Sequence, residues 1–444
     1  MENSKFMHTI KIKDDVYALY NSLLFDPVFI NEDEKEKIIK EDYNFFSNYE
    51  LNLLFNKGII VKDRLVDEKA LSYLKEYVLN ETKEKISLVY IIGNNKCNLA
   101  CKYCFIGKME NEREDIEETT IANLIEKFYI HIKKKNIGKG ILVFYGAEPL
   151  LNFSIIKFTS SYIRAKKYNI DISLVTNATL LDEEKAIFIK NNNIGIGISI
   201  DGPKHLNDAN RVFLDGSKGT YDIVMTKIKM LQRLRVPFGL SITINDYALN
   251  NKKEYFNWII STNVKEINYN LMHFNSNNDE WKKYYEKVAL FLMESRKILS
   301  KYGISEGRLQ RKYDSFYKNE FKYSDCGAVG ANQICVRPNG SITICHGQWN
   351  TKTENIGNIN EINFDKIFES KEYKKWNSNI TLNKEICLKC PFIYICGGGC
   401  PMESKNMFGN EKELDKPFCI YTKNVGQLLL KEFYEMGCKM KNKL

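Results

Sequence analysis

Cys97-Asn98-Leu99-Ala100-Cys101-Lys102-Tyr103-Cys104 lies just beyond a β-rich apolar run, Ser87 to Ile92, and puts three thiols on one short loop. Three thiolates at this spacing reach three corners of a cubane iron–sulfur cluster and leave the fourth iron without a protein ligand. A structural zinc ion wants a fourth Cys or His, and none lies between Gly93 and Glu112. Outward from this loop, strand and helix patterns alternate. Strands are expected at Ser87 to Ile92, Gly140 to Tyr145, Asp171 to Thr176, Ile194 to Ile200, Phe238 to Ile244 and Glu266 to Leu271. Helical periodicity follows each in turn, near 117–135, 153–168, 182–192, 220–235, 251–262 and 280–301. Such alternation predicts an α/β fold, a parallel sheet with helices outside it, here a partial (β/α)6 barrel. Barrels of this kind carry their chemistry at the C-terminal strand ends. Those ends lead here into the Cys97 loop, Gly146-Ala147-Glu148-Pro149, Asn177, and Ser199 with Asp201, which are expected to face one cavity.

The flanks differ. Residues 1–85 begin with strand-like runs, His8 to Lys13 and Val16 to Tyr20, then helical patterns near Glu32 to Lys40 and Tyr49 to Asn56, then Ile59-Ile60-Val61. This is the order of a small winged-helix-like unit. Beyond residue 302 cysteines become dense and Arg337-Pro338-Asn339-Gly340 marks a hairpin. The expected division is therefore 1–85, 86–302 for the barrel, and 303–444. Subtracting 56 acidic from 65 basic residues leaves +9, spread thinly enough to predict a solvated surface rather than a nucleic-acid partner. No apolar run reaches the roughly 20 residues of a bilayer span, and Met1 to His8 has no secretory h-region. In the cytosol that this predicts, twelve cysteines point to metal or redox chemistry rather than disulfides.

The triplet, with an aromatic Tyr103 before its third cysteine, resembles the signature of the radical S-adenosylmethionine (SAM) superfamily. The resemblance implies a 4Fe–4S cluster on Cys97, Cys101 and Cys104, whose open iron chelates SAM and cleaves it to a 5′-deoxyadenosyl radical. Gly146, Ala147 and Glu148 resemble the family's Gly-Gly-Glu-Pro, which meets the methionine amino group through backbone; Ala147 suits that role if its φ is negative. Ser199, Arg211 and Asn177 look like residues that meet the ribose or carboxylate of SAM. Cys326-x13-Gly340-x4-Cys345, Cys387-x2-Cys390-x5-Cys396-x3-Cys400 and then Cys419 match the seven-cysteine SPASM pattern. This implies two auxiliary 4Fe–4S clusters, three in all, with Cys387, Cys390, Cys396 and Cys419 on the distal one and Cys326, Cys345 and Cys400 on the nearer one. Cys335 either completes the nearer cluster or is a buried strand residue beside an open iron. Cys438, in a terminal amphipathic helix, reads as a bland thiol.

Radical enzymes with such a domain act on sulfatases, making formylglycine, or on ribosomally made peptides, making crosslinks. In sulfatase maturases an Asp typically follows the Gly-x4-Cys cysteine; here His346 follows Cys345, a stretch closer to peptide thioether maturases. His346 is a candidate base or a loop cap. Residues 1–85 are similar to a peptide recognition element, which captures a leader peptide by strand addition, or form an unrelated capping subdomain. The expected function is a peptide maturase forming Cys thioethers, with a leader-bearing, Cys-rich precursor peptide and an external donor such as flavodoxin or ferredoxin as partners. Formylglycine generation, carbon–carbon crosslinking and epimerisation are the alternatives.

Overall fold

The computed structural model describes residues 1–82, 84–104, 114–216, 218–274, 280–348 and 354–441. Its N-terminal region opens with β1 (Glu2–Asn3) and a three-stranded antiparallel sheet, β2 (Met7–Lys13), β3 (Val16–Asn21) and β4 (Val28–Ile30), in the order β2-β3-β4. Two helices follow, Glu32–Ile39 and Asn48–Asn56. Each starts at a reciprocal cap: Asn31 with Glu34 and Ser47 with Glu50 satisfy one another's backbone N–H groups. β5 (Ile60–Val61) then pairs with β1. A further helix, Leu65–Thr82, is absent from the sequence expectation. It exposes Val66, Tyr73 and Tyr77 and buries few residues, so its pattern lacks a clean apolar stripe.

Six parallel strands form the centre: β6 (Leu88–Ile91), β7 (Gly140–Phe144), β8 (Ile170–Thr176), β9 (Gly195–Ser199), β10 (Gly239–Thr243) and β11 (Glu266–Asn270). They lie side by side in chain order, as the alternating pattern requires. The sheet is nonetheless wider than six strands. β12 (Ser305–Glu306) extends it beyond β11, and β13 (Gln333–Val336) pairs in parallel with β6, carrying β14 (Ser341–Thr343) and β15 (Gly357–Asn358) outward to make ten. An open parallel sheet leaves unpaired N–H and C=O groups on both edges, and these additions cover them. Cys335 stands opposite Tyr90 in this register.

Burial alternates with period two. Ile170, Ile172 and Leu174 of β8, Ile196 and Ile198 of β9, and Leu240 and Ile242 of β10 pack under the outer helices. Their neighbours Val175, Ser199, Ser241 and Thr243 turn to the inner, partly open face. Ile121, Leu124, Ile125 and Phe128 present one face of the helix Glu118–Lys134 to this core. On the same helix buried His131 stacks 4.7 Å from Phe364 and 5.4 Å from Phe368. Burial lowers its pKa from 6.5 to about 4, so the folded state holds it neutral. That contribution is complete above pH 6.5 and is lost as pH falls toward 4, because there the unfolded chain binds the extra proton. Between pH 7.5 and 5 the wild type is expected to lose about 2 kcal/mol more unfolding free energy than His131→Phe. Parallel denaturant titrations at the two pH values measure this difference.

Candidate active site

The Cys97 loop is zipped to the segment after β9. Ala100 N–H donates to the Val212 carbonyl (2.8 Å) and Lys102 N–H to that of Asn210 (3.0 Å), and Leu99 bridges Phe213. This brings Arg211 against Tyr103, the guanidinium 5.5 Å from the ring centroid. Asp201, from the end of β9, binds both. Its carboxylate accepts from the Tyr103 hydroxyl and pairs with Arg211 Nε at 3.0 Å and Nη2 at 3.1 Å. Asp201 is 1% exposed, and its own carbonyl accepts from the Tyr255 hydroxyl (2.8 Å). The sequence placed Asp201 at a strand end without a role; here it ties the loop to the barrel.

Glu148 is fully buried and its carboxylate is spent on neighbours. Oε1 accepts from Thr176 Oγ1 (2.5 Å) and the Leu150 N–H (3.0 Å), and Oε2 from the Asn177 N–H (2.8 Å). Burial pushes its pKa up and these three donors oppose the rise. Glu148 therefore pins the ends of β7 and β8 together. Asn177 Nδ2 in turn donates to Asn98 Oδ1 (2.9 Å), inside the cysteine loop. Ser199 sits on the inner face of β9, in register with Ser241.

Ala147 differs from expectation. Its φ is +42°, following Gly146 at +78°, so it occupies the left-handed region that favours glycine. Strain of roughly 1–2 kcal/mol at such a residue outweighs the about 0.4–1 kcal/mol of chain entropy that glycine adds to the unfolded state. Ala147→Gly is expected to leave stability unchanged or raise it by about 1 kcal/mol, read by thermal unfolding.

The cysteines gather as separate groups. Burial takes the Cys97 thiol up to about 12, with Cys101 and Cys104 adding to the rise, and burial also raises Cys101, where Arg211 pulls down and Cys104 pushes up. Burial also raises Cys419, and the thiols of Cys396, Cys387 and Cys390 raise it further. Cys345 is raised by burial, then by Cys326 and Cys400. Cys335 is buried too and acts weakly on Cys345, but its own side chain meets the Thr343 hydroxyl and the charge of Arg337. Among the described residues no group of His, Cys, Asp or Glu is arranged around a single ion. Backbone N–H groups point at several of the sulfurs, among them Leu99 at Cys97 (3.4 Å), Gly347 at Cys345 (3.3 Å) and Gly398 at Cys396 (3.4 Å). Grouped thiols with donors on sulfur are the donor set an iron–sulfur cluster takes. Cys438 lies apart on the terminal helix Lys416–Lys441.

Gly397, Gly398 and Gly399, between Cys396 and Cys400, have φ of +74°, +90° and +77°. A Cβ on Gly397 would stand 2.4 Å from the Asp325 backbone nitrogen. Gly397→Ala is expected to cost about 3 kcal/mol or more, since backbone cannot yield as a side chain does, and to lower iron retention in the anaerobic protein.

His346 packs between Tyr90 (4.5 Å between centroids) and Tyr145 (4.7 Å), the residue before Gly146. Burial, then the charge of His273, lowers its pKa to about 4, so it is neutral at pH 7. His273, at the end of β11, was not foreseen. Its Nδ1 lies 2.5 Å from Glu403 Oε2, and Glu403 Oε1 accepts the Phe274 N–H (3.0 Å). Glu403 is 2% exposed while the His273 imidazole is open at the barrel mouth. Partial desolvation by the protein around it opposes its protonation, but the Glu403 carboxylate carries its pKa above the ordinary value. A carboxylate-held imidazole there is suited to moving a proton.

Residues 91–249 match the family model of the radical SAM superfamily, and residues 326–391 that of the SPASM iron–sulfur cluster-binding domain. The chain belongs to the radical SAM superfamily. It is an enzyme of that superfamily, built on SAM and 4Fe–4S clusters. The chain is 27% identical to the radical SAM cyclopropyl synthase TigE of Paramaledivibacter caminithermalis, over 97% of this chain and 96% of that protein. It is 24% identical to a cysteine-type anaerobic sulfatase-maturating enzyme of Clostridium novyi, over 78% of this chain and 96% of that one. Its fold resembles that of Streptococcus suis SuiB bound to precursor peptide SuiA, with a TM-score of 0.56 at 14% identity, covering 94% of this chain and 99% of that chain. No helix among the described residues is long and apolar enough to cross a membrane.

When bound, the cluster and SAM supply a carbon radical that abstracts hydrogen. The protein supplies the rest. Cys97, Cys101 and Cys104 would hold the radical-generating cluster, with Asp201 and Arg211 fixing their loop. Gly146 would offer backbone to the methionine end of SAM, a role that the positive φ of Ala147 fits less well, while Tyr90, Tyr145 and His346 wall the mouth between that point and Cys345.

Proposed function

We propose that this chain is a maturase of a ribosomally made peptide, in which one hydrogen atom passes from a peptide carbon to the 5′-deoxyadenosyl radical and a new bond closes there as a second hydrogen leaves as a proton, its electron taken by an auxiliary cluster. The observation that carries the reading is the similarity along nearly the whole chain, N-terminal region included, to an enzyme named for making a new ring. The N-terminal sheet supports it, because β2 and β4 are edge strands to which a leader peptide can add. SuiB's precursor peptide is the same substrate class. Three 4Fe–4S clusters serve the reaction, on Cys97, Cys101 and Cys104, on Cys326, Cys345 and Cys400, and on Cys387, Cys390, Cys396 and Cys419. A flavodoxin or ferredoxin delivers the electrons in the cytosol. Residues 1–85 bind the leader, 86–302 house the radical and 303–444 the auxiliary clusters.

The new bond is carbon–sulfur in the reading favoured by the nearer cysteine set. Cys335 is buried with a hydrogen bond to Thr343, and a nearer cluster held by Cys326, Cys345 and Cys400 alone would leave one iron open to a substrate thiolate. A carbon–carbon ring is the second reading, favoured by the cyclopropyl synthase. Alkylating the product formed from a Cys-containing candidate precursor peptide separates them. A thioether leaves one thiol fewer to alkylate, and a carbon–carbon ring leaves the count unchanged. Conversion of a sulfatase Cys peptide to its aldehyde, with the candidate precursor untouched, would replace both readings.

A further inference from the structure

Lys312 is a lysine with nowhere to meet water. It lies on the helix Gly307–Tyr317, is 1% exposed, and donates from Nζ to the Cys396 carbonyl. Its ammonium lies 4.7 Å from the ring centroid of Phe418, the residue before Cys419, and 3.5 Å from Asp325 Oδ1. Asp325 precedes Cys326, and its N–H donates to the Gly397 carbonyl (2.8 Å). The ion pair therefore sits in the seam between the two auxiliary cysteine sets. Its cation touches the distal set through Cys396 and Phe418, and its carboxylate adjoins the nearer set at Cys326.

A buried charge without a function is a cost, since removing it from water is repaid only by close partners. Other cations bear on these groups, but Lys384 and Lys423 act on the distal thiols from positions that reach solvent, and Arg311, Arg308 and Lys322, which also act on Asp325, are likewise partly exposed. Water screens those; Lys312 acts at close range in a dry seam. Charge and burial are among the terms that set an iron–sulfur potential. A cation beside one cluster favours its reduced, more negative form, and an anion beside the other opposes it.

We propose that the buried Lys312–Asp325 pair holds the reduction potential of the distal cluster, on Cys387, Cys390, Cys396 and Cys419, above that of the nearer cluster, on Cys326, Cys345 and Cys400. This rests on the cluster assignment given under the proposed function. One electron entering the nearer cluster takes it from the 2+ to the 1+ state; the nearer cluster returns to 2+ as the distal one becomes 1+, and no proton moves. The pair thus directs electrons from the barrel mouth outward.

Dye-mediated redox titration of the full-length, anaerobically reconstituted enzyme, followed by low-temperature electron paramagnetic resonance, tests this. A Cys387→Ala/Cys390→Ala variant identifies the distal signal by its loss. In Lys312→Met the reduced-to-oxidised ratio of that signal at a fixed potential is expected to fall at least tenfold, about 59 mV for one electron. Lys312→Arg restores it, and Asp325→Asn raises the nearer cluster's ratio. An unshifted distal midpoint in Lys312→Met at full iron content overturns the proposal, as does Lys312→Arg shifting as far as Met. If the Met variant holds less iron, Asp325→Asn decides alone, and an unmoved nearer cluster refutes it. A wild type that binds only about eight irons and loses no signal in the double cysteine variant would instead remove the distal cluster, and the proposal with it.

Discussion

With Cys97, Cys101 and Cys104 all replaced by alanine, the reconstituted enzyme is expected to hold about eight irons instead of about twelve and to lose SAM cleavage. 5′-Deoxyadenosine production should fall at least a thousandfold, to the level of SAM with reductant alone, because homolysis belongs to the cluster and nothing in the protein substitutes for it. Thermal stability should change little by comparison. Cys101 and its neighbours sit on a surface loop fastened by backbone hydrogen bonds to Asn210 and Val212, which alanine leaves intact. Iron analysis and chromatography of the nucleoside on the same sample measure both effects. The auxiliary clusters are carried by a different part of the chain and should keep their signals.

The second large effect concerns folding. Asp201→Ala leaves the Arg211 guanidinium, 11% exposed, without its partner, and breaking a buried pair from one side costs roughly 3–5 kcal/mol. The same change frees the Tyr103 hydroxyl and loosens the cysteine loop, so SAM cleavage should drop with stability. The double variant Asp201→Ala/Arg211→Met removes the stranded charge and is expected to recover about half of the lost stability or more. Its cleavage rate should stay low, because the loop is still unfastened. Denaturant unfolding of the two variants beside the wild type tests the pair. Equal destabilisation of both would mean that the charge is not what Asp201 neutralises.

The parts of this fold that were legible in sequence are those where chemistry or periodicity leaves few choices. The six central strands fall within about a residue of their expected bounds, since alternating apolar runs such as Ile170-Asp171-Ile172 have few other uses. At Ala147 the resemblance, which has glycine there, raised the question of φ, but the residue type pointed to a negative value and the loop imposes a positive one. His273 and Glu403 are 130 positions apart, and no local pattern joins them. Lys312 looks like any surface lysine of an amphipathic helix until Cys396 and Asp325 close over it. The β6–β13 pairing was hidden for a related reason. Gln333–Val336 reads as half of a local hairpin, and its second partner lies more than two hundred residues upstream.

The full-length enzyme, reconstituted anaerobically, is incubated with SAM, dithionite and a leader-bearing, Cys-containing candidate peptide, and nucleoside and peptide mass are followed together. The result expected is 5′-deoxyadenosine formed in step with a peptide lighter by two hydrogens per new bond, and neither change with the triple cysteine variant. Nucleoside formation no greater than in that variant would contradict the assignment of a radical SAM peptide maturase.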